Sequence, residues 1–160
     1  MKLILDLGSA PVWRTPLALG MAVRHILQSA ALVNLKLLQI NRLVHRKSGG
    51  RIPLIPPLYR SGVRYQEEPQ SWELEHFDTI PVVYGRKWGD CDDLAPIRVA
   101  ELRFTGEDPR ANILVKWKPT PNGKRLYHVV VRRGNGQIED PSRVLGMGRN
   151  EKAAAAHAGL

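Results

Sequence analysis

Between Leu17 and Lys47 the apolar positions Val23, Ile26, Leu27, Ala30, Ala31, Leu35, Leu38 and Leu43 fall three and four residues apart, the period of a helix face. The pattern predicts a helix of roughly thirty residues, as one element or two, ended by Ser48-Gly49-Gly50. A helix belonging to the core is the preferred reading, and an arm that packs on a partner is the alternative. Ahead of it, residues 3–7 (Leu-Ile-Leu-Asp-Leu) read as a short strand closed by Gly8-Ser9-Ala10-Pro11. Behind it, Arg51 to Pro57 carries three prolines in seven residues. Prolines hold the chain extended and remove donors, so this stretch crosses the surface and is not a central strand.

The period changes in the last third. Ser71 to Gly89 supplies the aromatic anchors Trp72, Phe77 and Trp88. Cys91 to Phe104 is helical, with Leu94, Ala95, Ile97, Val99 and Leu102 as its apolar face, and Gly106 to Pro109 breaks it. Ala111 to Trp117 and the β-branched run Leu126 to Arg132 read as strands, with a turn at Pro119 to Gly123. Gly134-Asn135-Gly136 is a hairpin turn that starts a return strand over Gln137 to Asp140. The predicted class is α+β, a helix packed on a small antiparallel sheet. Its parts are an N-terminal helical extension (1–50), a proline-rich connecting segment (51–83), a core (84–150) and a packing-poor, flexible tail (151–160).

A hydrophobic fraction of 43% with 24% charged residues describes a folded chain. The net charge of +9 favours anionic partners, nucleic acid among them. The arginines are scattered, and neither zinc-finger spacing nor an aromatic RNA-binding motif is present, so such binding would be nonspecific. One cysteine excludes an intrachain disulfide framework and a cysteine-cluster zinc site. Asp6 interrupts the apolar start of the chain, unlike an export signal. The stretch from Leu17 to Leu38 carries Arg24, His25, Gln28, Asn34 and Lys36, too polar a set for hydrocarbon depth, so no membrane span is expected.

Candidate chemistry centres on that cysteine. Cys91 lies in Gly89-Asp90-Cys91-Asp92-Asp93 at a loop-to-helix junction, where backbone N–H groups favour a thiolate and can donate to an oxyanion. Gly89 permits a close backbone approach. The three aspartates suit a helix start but raise a nearby thiol's pKa, so a cationic partner is needed. Pro96, past the first turn, predicts an irregular helix start. His128 is the candidate partner. Alternation puts it with Val130 and Arg132 on one strand face, and Tyr127, Val129 and Val131 on the other. The glycine hairpin folds Asp140 back to a diagonal position beside His128, with Glu139 on the opposite face. A carboxylate there would fix the imidazole tautomer. The acidic cluster is too compact for a calcium loop, and no metal or cofactor is expected.

The runs Trp88-Gly89-Asp90-Cys91-Asp92-Asp93-Leu94-Ala95, Tyr127-His128-Val129-Val130-Val131 and Glu139-Asp140-Pro141-Ser142 resemble the cysteine, histidine and aspartate motifs of transglutaminase-like proteins, in that order. Ala100 to Gly106 matches the family's helix and following glycine, and the likeness covers about residues 84–147. It implies a papain/transglutaminase-like core with Cys91, His128 and Asp140 as catalytic triad. The activity it implies is thiol-dependent acyl transfer on amide bonds of a protein or peptide, as protease, amidase or cross-linking enzyme. Papain-like enzymes place a glutamine shortly before the cysteine, where this chain has Val83-Tyr84-Gly85-Arg86. Transglutaminases use an upstream tryptophan, a place Trp72 or Trp88 could fill. The pairing of the cysteine and aspartate motifs is also similar to proteins encoded among tailed-phage structural genes. That context implies a bacterial cytoplasm or a virion as location. It also implies an alternative role as a non-catalytic structural or adaptor protein, assembling with itself or other chains through the N-terminal helix.

Overall fold

The N-terminal periodicity resolves into one unbroken helix, α1 (Pro16–Lys47), stopped by Gly49 and Gly50, both at positive φ. The computed structural model describes residues 3–4, 16–68, 76–119 and 125–148. Residues 5–7 of the expected first strand, Trp72, residues 120–123 of the expected turn and the tail from Glu151 lie outside them.

Around α1 the described residues form an α+β arrangement of four helices and small sheets. A two-residue strand, β1 (Leu3–Ile4), pairs antiparallel with β3 (His76–Phe77). β2 (Arg64–Tyr65) pairs parallel with β4 (Trp88–Gly89). Between them lies α2 (Ile80–Arg86), whose C-cap Lys87 adopts the left-handed conformation. The long central helix is α3 (Cys91–Thr105), and Gly106 caps it at positive φ. Antiparallel strands β5 (Asn112–Pro119), β6 (Arg125–Arg132) and β7 (Ile138–Glu139) form one sheet, followed by the single-turn α4 (Pro141–Val144).

Two apolar clusters meet on α3. Its Ala95, Val99 and Leu102 bury with Val23, Leu27 and Ala31 of α1 and with Ile113, Val129 and Val131 of the sheet. Its Leu94, Ile97 and Ala100 bury with Leu38, Leu58, Val63, Ile80 and Val83. The expected single apolar face of α3 is therefore two faces, because the helix is sandwiched. The expected irregular first turn is corrected: Leu94 N–H donates to the Asp90 carbonyl at 3.0 Å, a regular helical bond. Pro96 sits one turn further on, buried, where it removes one donor without ending the helix.

The proline-rich segment is extended and tied down at both ends. Asn41 Nδ2 donates to the Pro53 carbonyl (3.0 Å), and Leu58 N–H donates to Glu101 on α3 (2.7 Å). The buried Asn34 of α1 accepts from Ile80 N–H at 2.9 Å, fixing where α2 begins.

Candidate active site

Cys91 opens α3 because Asp90 is extended (φ −102°, ψ −165°) and hands the chain into the helix. The acidic residues Asp92 and Asp93 in its first turn match the positive end of the helix dipole. Immediately upstream, a Cβ on Gly89 would lie 3.1 Å from Asp93 Oδ2 and 3.2 Å from Val83 Cγ1. A side chain there would crowd Asp93 on α3 and Val83 on α2, so glycine lets the backbone come close. Cys91 itself is half-buried against the cluster that α3 shares with α1 and the sheet.

Of the three aspartates, Asp93 is paired with a cation, Arg86. Its guanidinium donates to Asp78 Oδ2 at 2.6 Å and to Asp93 Oδ2 in a still closer contact. It also stacks over the Trp88 ring with 3.9 Å to the centroid. Asp93 Oδ1 accepts from Asp78 N–H at 2.6 Å. Asp92 is 1% exposed, and Tyr127 on β6 donates its hydroxyl to Asp92 Oδ2 at 3.1 Å. Burial pushes the Asp92 carboxyl well above its ordinary value, and a hydrogen bond shared with Asp90 adds to the rise. The Arg86–Asp93 pair offsets one of the three carboxyls that flank the sulfur.

Sequence alternation holds on β6. Val129 and Val131 face the core, while His128 lies on the other face, directly across from Lys116 of β5. Val131 pairs with Glu139 on β7, and continuing that register sets Asp140 beside Val130, diagonal to His128. The two side chains meet, with His128 Nε2 2.9 Å from Asp140 Oδ2. Asp140 has a second duty: its Oδ1 accepts from Arg143 N–H at 3.2 Å, capping α4. Arg143 Nε also approaches Asp140 Oδ2 at 3.3 Å. With Nε2 directed at the carboxylate, Nδ1 is the ring nitrogen turned away from Asp140. Of the three expected residues, His128 and Asp140 are thus in direct contact. Cys91 stands on α3, which packs with Val129 and Val131 on the face of that strand opposite the one that carries His128.

No family model, curated protein or solved structure matches the chain.

Three further residues organise the site without having been read from sequence. Arg86 had no role assigned from sequence, although three neighbouring aspartates do call for a cation. Tyr127 was placed on the face opposite His128, which is where Asp92 lies. Glu139 gathers Tyr59, Arg98 and Arg133, whose contacts tie β7 to α3 and the proline-rich segment. Burial alone would raise the Glu139 carboxyl, but the Tyr59 and Arg98 hydrogen bonds outweigh it and hold it below its ordinary value. Of the tryptophans named for the oxyanion, Trp88 lies under the Arg86 guanidinium, and Trp72 is outside the described residues.

Oxygens of Asp90, Asp92 and Asp93 come within 4.8 Å of one another. Both Asp93 oxygens are already engaged, by Asp78 N–H and Arg86. Two remaining carboxyls fall well short of the six or more oxygens, on the order of what calcium takes. A depression of about 470 Å³ lined by Glu107, Asp108, Arg110, Arg133 and Gly134 lies past the far end of α3, away from Cys91. Among the described residues no helix is long and apolar enough to cross a membrane.

Proposed function

We propose that the chain is a thiol enzyme of transglutaminase-like, papain-type character that transfers acyl groups from amide bonds of a protein or peptide. The observation that carries this reading is the 2.9 Å contact between His128 Nε2 and Asp140 Oδ2, on the strand against which the Cys91 helix packs. In the proposed reaction His128 Nδ1 takes the Cys91 proton and Sγ attacks the carbonyl carbon. The C–N bond then breaks, and the amine leaves with the proton from His128. Water entering through the same base gives hydrolysis, and an amine gives a cross-link. Asp140 is a positioning residue that holds the imidazole by Nε2.

Alkylation of Cys91 with iodoacetamide across pH tests this. An ion-paired thiol reacts with a midpoint below the ordinary value of about 8.5, and His128→Ala returns the midpoint to that value. A Cys91 that resists alkylation in the folded protein, or one whose profile is unmoved by His128→Ala, sinks the catalytic reading. Five exposed aliphatic side chains around the end of α1 favour a second reading, that of a structural or adaptor protein of a phage virion or similar assembly. In that case Cys91→Ala leaves assembly intact.

A further inference from the structure

The net charge of the chain is confined to one region. From residue 7 to residue 66 there are nine Lys and Arg and no Asp or Glu, which leaves 15 Lys and Arg against all 15 Asp and Glu in the rest. The whole excess of +9 therefore belongs to the stretch holding α1 and the proline-rich segment. Its densest part is Lys36, Arg42, Arg46, Lys47 and Arg51, all exposed, and none of the five forms an ion pair with a described residue.

The same end exposes apolar surface. Ile40, Leu43 and Val44 on α1 are 56%, 52% and 41% exposed, and Ile52 and Leu54 on the following strap are 45% and 51% exposed. The strap is held rigidly back along the helix. His45 Nδ1 donates to the Ile52 carbonyl at 2.6 Å, and Ile52 N–H donates to Ser48 Oγ at 3.0 Å. Asn41 takes both the Pro53 carbonyl (3.0 Å) and the Ile55 N–H (2.8 Å). These bonds lay the strap that carries Ile52 and Leu54 along α1, where Ile40, Leu43 and Val44 share one side of the helix with Lys36 and Lys47, whereas Arg42 lies over the Phe104 ring at 4.6 Å. Because the strap is already ordered, a partner would meet a preformed surface and lose little entropy in shaping it. Aliphatic surface of this kind marks interaction sites.

We propose that this end of α1 and its strap dock an acidic amphipathic helix of a partner protein, its aliphatic stripe on Ile40, Leu43, Val44, Ile52 and Leu54 and its carboxylates on the flanking cations. A second copy of the chain fits poorly, since two such faces would set unpaired cations against each other. Nucleic acid would satisfy the cations but not the aliphatics, which offer bases no aromatic platform. A membrane surface is disfavoured because the main apolar stripe of α1 (Val23, Leu27, Ala31, Leu38) is buried in the core and the exposed set contains no aromatic anchor.

The test uses the full chain and a synthetic helical peptide with leucines at i, i+3, i+4 and i+7 and glutamates flanking them. Titration by fluorescence anisotropy is expected to show binding that weakens about tenfold or more in Ile40→Ser/Leu43→Ser and again in Arg46→Glu/Lys47→Glu. Both pairs are exposed, and unchanged thermal midpoints will show that they still fold. The same peptide with lysines for glutamates should not bind. Absence of binding, equal binding of the lysine peptide, or full binding by the serine variant overturns the proposal. Phosphatidylglycerol vesicles or duplex DNA that displace the peptide, and bind the serine variant undiminished, overturn it in favour of those surfaces. Cys91→Ala should bind the peptide as the unmodified chain does, which separates this inference from the catalytic reading.

Discussion

The two halves of this protein handle charge in opposite ways. From α1 through the strap, cations stand at the surface without acidic partners among the described residues, and polar side chains there serve mainly to pin backbone. From β3 to α4, several acids are buried against partners: Asp78 and Asp93 against Arg86, Asp92 against Tyr127, and Glu139 against Tyr59, Arg98 and Arg133. A surface cation costs little and adds little to stability, whereas a buried carboxylate needs its partner to exist there at all. The difference teaches where mutation should hurt.

Four experiments can break or sharpen that contrast. The largest effect is expected from Arg86→Ala, which leaves Asp78 and Asp93 buried without a counter-charge. Loss of one partner of a buried pair costs about 3–5 kcal/mol, whereas Arg46→Ala at the other end should change stability by less than about 0.5 kcal/mol. Equal thermal midpoints for the two variants would erase the distinction. Next comes the seam between the halves. Asn34→Ala strands the buried Ile80 N–H and should cost about 1–3 kcal/mol in denaturant unfolding. A cost near zero would mean that α1 does not anchor α2.

Asp140 separates its two duties. Asp140→Ala loses the α4 cap and the imidazole contact together, at about 1 kcal/mol for the cap. Asp140→Asn keeps an acceptor for Arg143 N–H and should retain most of that stability while slowing Cys91 alkylation near neutral pH by about tenfold, one unit of thiol pKa. Identical alkylation in Asp140→Asn and the unmodified chain would remove Asp140 from the proposed triad.

The smallest effect concerns Asp92. Its folded-state pKa is raised, by burial first and by Asp90 second, so its contribution is fully present below the unfolded value. That contribution fades as pH climbs through the folded value, since the folded chain then gives up a proton it holds more tightly than the unfolded chain does. Asp92→Asn should flatten the fall in thermal midpoint as pH rises above the ordinary aspartate value of about 4, gaining roughly 2–4 °C once the fall is complete. An unchanged slope would show that Asp92 is ionised in the folded state.

Periodicity and turn chemistry carried much of the reading. α1 and α3, the β5–β6 pair and the glycine hairpin follow from local spacing, because a three-to-four period, β-branched alternation and Gly-Asn-Gly each restrict the backbone within a few residues. The His128–Asp140 contact was legible for the same reason: a hairpin's register can be counted, and the count gave the diagonal seen in the structure. α2 was not legible, since Ile80 to Arg86 is too short for a period to declare itself, and Asn34, distant in sequence, sets where it starts.

Only the tertiary structure decided which charges meet. Arg86 reaches two aspartates on different segments, Tyr127 reaches Asp92 from another element, and Glu139 joins three regions. Nothing local encodes these pairings, because ion pairs are set by distance in space and by the loss of water around them. The cluster around Cys91 is the clearest case. The sequence determined that three acids flank the cysteine, and packing alone determined that Arg86 meets Asp93 and the Tyr127 hydroxyl meets Asp92.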